Sequence, residues 1–280
     1  MQMTVISIPG GSKPEILKLV KKVHECYPNQ IQVNVFDQSE NIGTEEEWLY
    51  EKCLSDEDAV RKAVLLVKES EKSILLKGMV QTHTLLKEVL KSEHQLKLEG
   101  ILSHVALVTL PNHQREFLLT DCAMNIAPNT ETLINIVENV KSVAHKQGID
   151  KPKIALLSSA ENFNPKMPSS VLAKEVTEAY QDCQDGIVFG PISFDLAISP
   201  ESVKHKGYVG PIQGDADVLV VPVIDAGNIL YKSLTLFGGA EIGGMVVGTK
   251  VPVVLTSRSD STESKCQSLE FASKQIGFKK

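Results

Sequence analysis

The chain has 280 residues, 42% of them hydrophobic and 23% charged, with a formal net charge of −6. That is enough for one large or two medium domains, and an acidic balance without any basic run argues against nucleic acid as a partner. No apolar run is long enough to cross a bilayer and no leader-like stretch opens the sequence. The five scattered cysteines (Cys26, Cys53, Cys122, Cys183, Cys266) lack metal-ligand spacing, so a reduced cytoplasmic protein away from membranes is expected.

Strand and helix signals alternate along the chain, as in α/β proteins. Residues 5–8 read as a strand, followed by a Gly10-Gly11-Ser12 turn that could cradle a phosphate but is more simply structural. Pro14 opens an amphipathic helix to about residue 26, with Ile16, Leu17, Leu19, Val20 and Val23 on its apolar face. Residues 31–36 alternate as a second strand, and 41–51 read as an acidic loop. Ser55 or Asp56 caps a helix carrying Ala59, Val60, Ala63, Val64 and Val67. Residues 73–76 read as a buried strand ending in Lys77-Gly78, and Thr82, His83 and Thr84 stand before a helix over 85–91. Hydroxyls and a lysine at a strand-to-helix turn suit either an anion site or a capping cluster.

Residues 105–110 and 117–120 resemble a hairpin closing with Asp121, Cys122 and Asn125. Thr130 is expected to cap a long helix with Leu133, Ile134, Ile136, Val137, Val140, Val143 and Ala144 inward, and Gly148 to stop it. A strand over 154–157, a helix over 171–183 and a strand over 187–189 follow. The stretch 199–214 reads as polar chain. There His205 invites a catalytic reading, a solvated surface histidine being the plainer one. The change near 121–129 predicts two lobes, residues 1–124 with 250–280 and residues 125–249.

Toward the end, residues 218–223 and 251–255 are short β-branched runs that read as buried strands of a parallel sheet. Each is expected to end in a polar loop, one holding Asp225, Gly227, Asn228, Tyr231 and Lys232, the other Ser257, Arg258, Ser259 and Asp260. In open α/β sheets ligands bind beyond the carboxyl ends of strands. A guanidinium fork beside a serine hydroxyl suits phosphate, although an N-cap serine and a solvated arginine opening the last helix, 262–276, is the blander alternative. The glycine-rich run 238–248 superficially suggests a nucleotide loop but lacks the strand–GxGxxG–helix context, so turns and a helix start are expected.

The segments LLKGMVQTHTLLKEVL (75–90), LSHVALV (102–108), LLTDCAMN (118–125), NPKMPSS (164–170), GPISFDLA (190–197), ADVLVVP with GNILYKSL (216–234) and VGTKVPVVLTSRSDSTESK (247–265) together resemble the phosphate acetyl/butyryltransferase family, closest to its butyryl branch. The resemblance covers the chain from about residue 73 onward and is loose over the first 70. It implies a two-lobed α/β fold similar to isocitrate and isopropylmalate dehydrogenases, with a mostly parallel sheet, an active-site cleft between lobes and a dimeric or larger homo-oligomer. It further implies reversible acyl transfer between CoA and phosphate in short-chain fatty acid metabolism, with both as substrates and no bound cofactor or metal.

Carried over by residue, the resemblance gives Arg258 the phosphate and Ser257 the acyl oxygen. Glu263 becomes the candidate base, with Asp260 next, because Ser264 stands where the acetyl branch has an aspartate. Lys77, Thr82, Thr84 and Lys87 are expected at the phosphate or CoA site. Lys87 replaces a usual arginine, which keeps the charge but loses the fork. Asn228, Tyr231 and Lys232 match a GNxxYK segment expected on the phosphate side. Three rival readings remain: an acetyl-specific enzyme, a hydroxy-acid dehydrogenase of the sibling fold, and a binding protein that kept only the fold.

Overall fold

The computed structural model describes residues 3–40, 42–70, 72–111, 116–255 and 262–277. The chain forms two compact units, Met1–Glu99 with Gly243–Lys280, and Gly100–Ile242. The first contains β1 (Thr4–Pro9), α1 (Pro14–Cys26), β2 (Ile31–Asp37), β3 (Leu49–Lys52), α2 (Asp56–Lys68), β4 (Ser73–Leu76) and α3 (Thr82–Val89). The second contains β5 (Ser103–Thr109), β6 (Phe117–Thr120), α4 (Thr130–Lys146), β7 (Lys153–Leu157), α5 (Pro168–Ala179), β8 (Ile187–Ile192), α6 (Phe194–Ile198), α7 (Pro200–Lys206), β9 (Val218–Val220) and α8 (Ile224–Leu236). The chain then runs through β10 (Glu241–Val247) into β11 (Val253–Val254) and α9 (Thr262–Gln275) of the first unit.

In the first unit the strands lie in the order β3-β2-β1-β4-β11-β10, parallel except for β10 against β11. In the second they run β5-β6-β9-β7-β8, parallel except for the β5–β6 hairpin. Both are therefore mostly parallel α/β units. Among the described residues no helix is long and apolar enough to cross a membrane.

Local chemistry accounts for most of these elements. The core strands are β-branched and buried on both faces, as parallel strands covered by helices must be. Helix α2 turns Ala59, Val60, Ala63, Val64 and Val67 into the core, and Ser55 caps it by accepting the Asp58 N–H at 3.2 Å. Burying each such valine contributes roughly 1.5–3 kcal/mol. The buried hydroxyl of Ser7 in β1 donates to the Ala63 carbonyl at 3.0 Å, so a polar residue sits in the core without an unmet bond. The Gly10-Gly11 turn is structural. Gly10 has φ +68°, and a Cβ on Gly78 would stand 2.3 Å from the Gly10 carbonyl oxygen, so the turns after β1 and β4 touch backbone to backbone.

Several expectations need correction. The acidic stretch 41–51 ends in an edge strand, β3, whose mostly exposed residues show no apolar alternation. Asn129, not Thr130, caps α4, accepting the Thr132 N–H at 2.8 Å. Helix α5 spans Pro168–Ala179, earlier than 171–183, because proline suits a first turn. The polar stretch 199–214 contains helix α7, capped by Ser199 and closed by Gly207 at φ +59°, with His205 exposed in its basic last turn.

The glycine-rich run 238–248 opens in the expected turn at Gly238 and Gly239, but it holds no helix start and is largely the buried strand β10. A Cβ on Gly243 would lie 2.8 Å from the Gln267 carbonyl carbon, and the Gly244 N–H donates to Ser268 Oγ at 3.0 Å. Its glycines let the strand lie directly on α9. The units also divide at 99/100 and 242/243 rather than at 124/125 and 249/250. The β5–β6 hairpin pairs with β9 and keeps 100–124 in the second unit, while the contact with α9 keeps 243–249 in the first.

Candidate active site

In parallel sheets the carboxyl ends of strands gather loops and helix N-termini, and with them unpaired backbone donors. In the first unit β4 ends in Lys77. Its side chain is only 6% exposed and donates to the Gly78 and Val80 carbonyls at 3.0 and 3.4 Å. Helix α3 then begins at Thr82, so Thr82, His83 and Thr84 form its first turn rather than its approach. Its N-cap, Gln81, makes no side-chain cap bond and no acidic residue stands in that turn. Thr82 is exposed, Thr84 half-buried, and Lys87 exposed in the last turn. A helix start with free donors, hydroxyls and no carboxylate suits an anion.

Strand β11 pairs in parallel with β4, Val254 opposite Leu76, and leads into 256–261. Ser257, Arg258 and Asp260 fall there, outside the described residues. Glu263 follows in the first turn of α9, with its side chain 65% exposed and Lys22 Nζ 3.2 Å away. The helix backbone and the Lys22 hydrogen bond hold its carboxyl below the usual glutamate range. That setting favours the ionised form but makes a weak proton acceptor.

In the second unit Asn228, Tyr231 and Lys232 lie on helix α8, not in a loop. Gly227 explains the close seat of this helix. A Cβ there would stand 2.8 Å from the Asp121 carbonyl oxygen and 3.0 Å from Cys122 Cα. Asn228 and Lys232 are exposed on the helix, whereas Tyr231 is half-buried and packs on the core beneath it. Tyr231 also meets His104 edge-on, ring centroids 6.4 Å apart.

This corner was not anticipated from the sequence. His104 lies early in β5 and Asp121 just beyond the end of β6. The antiparallel register, Val105 opposite Thr120, makes them neighbours on one face. The Asp121 carboxylate accepts the N–H groups of Ala123, Met124 and Asn125 at 2.9, 3.0 and 3.2 Å and the Asn125 side-chain amide at 2.6 Å. Asn125 also donates to the Leu102 carbonyl at 2.8 Å, binding the β6 turn to the start of β5. Burial pushes the His104 pKa below its ordinary value, opposed by the Asp121 charge. Burial, helped by Asp121, pushes the Cys122 thiol well up, so it stays protonated and is no nucleophile. The available signal was a hairpin with a histidine at its mouth and an aspartate closing it.

For a metal, the described residues offer one group, Glu88, Glu93 and His94. Both Glu88 oxygens are already engaged, one by Lys91 and one by His94, each at 2.7 Å. Burial raises its pKa, but these two partners outweigh it and hold the carboxyl below its usual value. The group acts as an ion-paired cap on the end of α3.

Comparison with known proteins adds to this geometry. Residues 28–272 match the model of the family described as "Phosphate acetyl/butaryl transferase". A Bacillus subtilis protein named "Probable phosphate butyryltransferase" is 42% identical over 218 residues, 77% of this chain and 73% of that one. The crystal structure of a branched-chain phosphotransacylase from Enterococcus faecalis superposes with a TM-score of 0.94 at 64% identity, over 98% of this chain and 99% of that one. A 4-hydroxythreonine-4-phosphate dehydrogenase from Klebsiella pneumoniae, 12% identical over 98% of this chain and 100% of its own, shares only the fold, at a TM-score of 0.58.

Proposed function

Because the chain belongs to the phosphate acetyl/butaryl transferase family and is an acyltransferase of the phosphotransacylase type, we propose that it moves four- and five-carbon acyl groups reversibly between CoA and phosphate. The observation that carries this reading is the 64% identity, over nearly the whole chain, to a protein named for branched-chain acyl groups. The same reading makes the protein cytoplasmic and homo-oligomeric, the latter to be checked by sedimentation of the purified chain.

The chemistry assigns roles. Arg258 clamps phosphate with its fork, and Ser257 donates to the oxyanion that forms as the acyl carbon becomes tetrahedral. The uncapped start of α3, with Thr82 and Thr84, adds donors for a phosphate group of either substrate, and Lys77 and Lys87 add charge to that side. In the second unit, Asn228, Tyr231 and Lys232 of α8 are the candidate phosphate-binding residues. Glu263 is left out as base because Lys22 already holds its exposed carboxylate.

Purified protein should release CoA from butyryl-CoA or a branched acyl-CoA only when phosphate is added, without metal or nicotinamide. No phosphate-dependent release from acetyl- through valeryl-CoA would sink the reading. A missing methylene in an apolar pocket costs about 1–3 kcal/mol, so the preference over acetyl should be graded. A clear acetyl preference in kcat/KM would overturn the chain-length assignment.

A further inference from the structure

Among the described residues two buried histidines have a sealed Nδ1, but Nε2 of His94 is held by Glu88, whereas His104 makes no side-chain hydrogen bond. His104 is 8% exposed, and its Nδ1 is sealed with no hydrogen-bond partner among the described residues. The ring stands at the mouth of the β5–β6 hairpin, on the edge of the sheet where β6 and β9 end. It touches Tyr231, on the helix that also carries Asn228 and Lys232. Among the described residues the charged and titratable groups that act on it are Asp121 from the β6 end and Tyr231 from α8.

We propose that His104 is the proton acceptor for the CoA thiol, an assignment that rests on the phosphotransacylase reading above. With its proton on the sealed Nδ1, the ring offers the Nε2 lone pair to a substrate. Burial keeps the imidazole neutral at physiological pH, and the Asp121 carboxylate, fixed by three N–H groups, favours the imidazolium once it forms. In the acyl-CoA-forming direction Nε2 takes the S–H proton as the S–C bond forms. The C–O bond to phosphate breaks, and phosphate leaves with the bonding pair. The imidazolium then gives its proton to the departing phosphate, so acyl phosphate and CoA yield acyl-CoA and hydrogen phosphate. In reverse, hydrogen phosphate loses its proton to His104, which returns it to the leaving thiolate.

The test uses the intact purified chain with butyryl phosphate plus CoA, and with butyryl-CoA plus phosphate. His104→Gln should lower kcat in both directions by roughly a hundredfold or more, the usual share of a general base. The phosphate KM should move less than about twofold, and the deficit in the CoA-attack direction should shrink as rising pH supplies thiolate from solvent. A packing defect alone would not give that pH-dependent recovery. Should His104→Gln not fold, His104→Asn is measured in the same way. If neither folds, the acid limb of the unaltered enzyme is followed with temperature, since imidazole ionises with a large heat and a carboxylate with almost none. An unchanged rate and pH profile in a folded variant, or a carboxylate-like heat, overturns the assignment while the unaltered enzyme's activity stands. An unaltered enzyme with no phosphate-dependent release overturns both readings together.

Discussion

Helices α2 and α3 both follow a parallel strand in the first unit and both bury an apolar face, yet their first turns are finished differently. In α2 the Ser55 hydroxyl accepts the Asp58 N–H, and Asp56, Glu57 and Asp58 fill the positive end of the dipole. In α3 no side chain caps the turn and no acid stands in it. A similar contrast separates two buried histidines. Among the described residues Nδ1 is sealed without a partner in both, but Nε2 of His94 is held by Glu88 at 2.7 Å, whereas the His104 ring only touches Tyr231 edge-on. Where local chemistry is complete the element serves the fold. Where it is left open beside a sheet's carboxyl edge, donors or a lone pair remain for a ligand.

After that of His104→Gln, the largest effect is expected at Arg258. Arg258→Ala should raise the phosphate KM and lower kcat, a combined loss of about tenfold to a hundredfold, since a charge-assisted bond is worth roughly 1.5–3 kcal/mol. Arg258→Lys should recover only part, a point charge replacing a fork. Steady-state rates against phosphate decide this, and a full recovery by lysine would remove the fork from the mechanism.

Giving α3 the acidic first turn of α2 sharpens the contrast directly. Thr84→Glu should weaken phosphate or CoA binding by about 1–2 kcal/mol, roughly five- to thirtyfold in KM, by opposing the dipole and the anion together. Unchanged KM values for both substrates would make the open start of α3 a structural accident.

Removing the cap of α2 tests the other side. Ser55→Ala should cost about 0.5–2 kcal/mol in urea unfolding and leave both KM values as they are. A changed KM with unchanged stability would reverse the roles given to these two helices.

A subtler effect is expected in the pH dependence of stability. The folded His104 pKa lies below its unfolded value of about 6.5. Below that pH the unfolded chain takes a proton that the folded chain refuses, so this residue makes stability fall as pH drops. Urea midpoints of the unaltered protein should therefore decline more steeply from pH 7 to pH 5 than those of His104→Gln. Parallel declines would mean that the ring titrates freely.

The smallest effect is expected at Glu263. Glu263→Gln breaks an exposed pair with Lys22, so the change in denaturation should be too small to resolve. A large fall in kcat in both directions, partly restored by raising pH in the CoA-attack direction, would instead return the base role to Glu263 and remove it from His104.

The sequence by itself determined whatever depends on neighbours along the chain. The amphipathic face of α1, the Ser55 cap, the buried runs that became β4 and β9, and the β5–β6 hairpin follow from periodicity, capping and β-branching over a few residues. The motif segments from residue 75 to 265 carried the family in the same way. Tertiary structure decided what depends on contacts between distant residues. The strand Glu241–Val247 can lie on α9 because Gly243 carries no Cβ there, a requirement set more than twenty residues away. Residues 225–232 are helical rather than loop because Gly227 lets α8 seat against Asp121 and Cys122. His104 and Asp121 become one corner only when the antiparallel register sets Val105 opposite Thr120. Whether a buried nitrogen keeps a partner depends on every group that packs around it, and residue order alone does not carry that information.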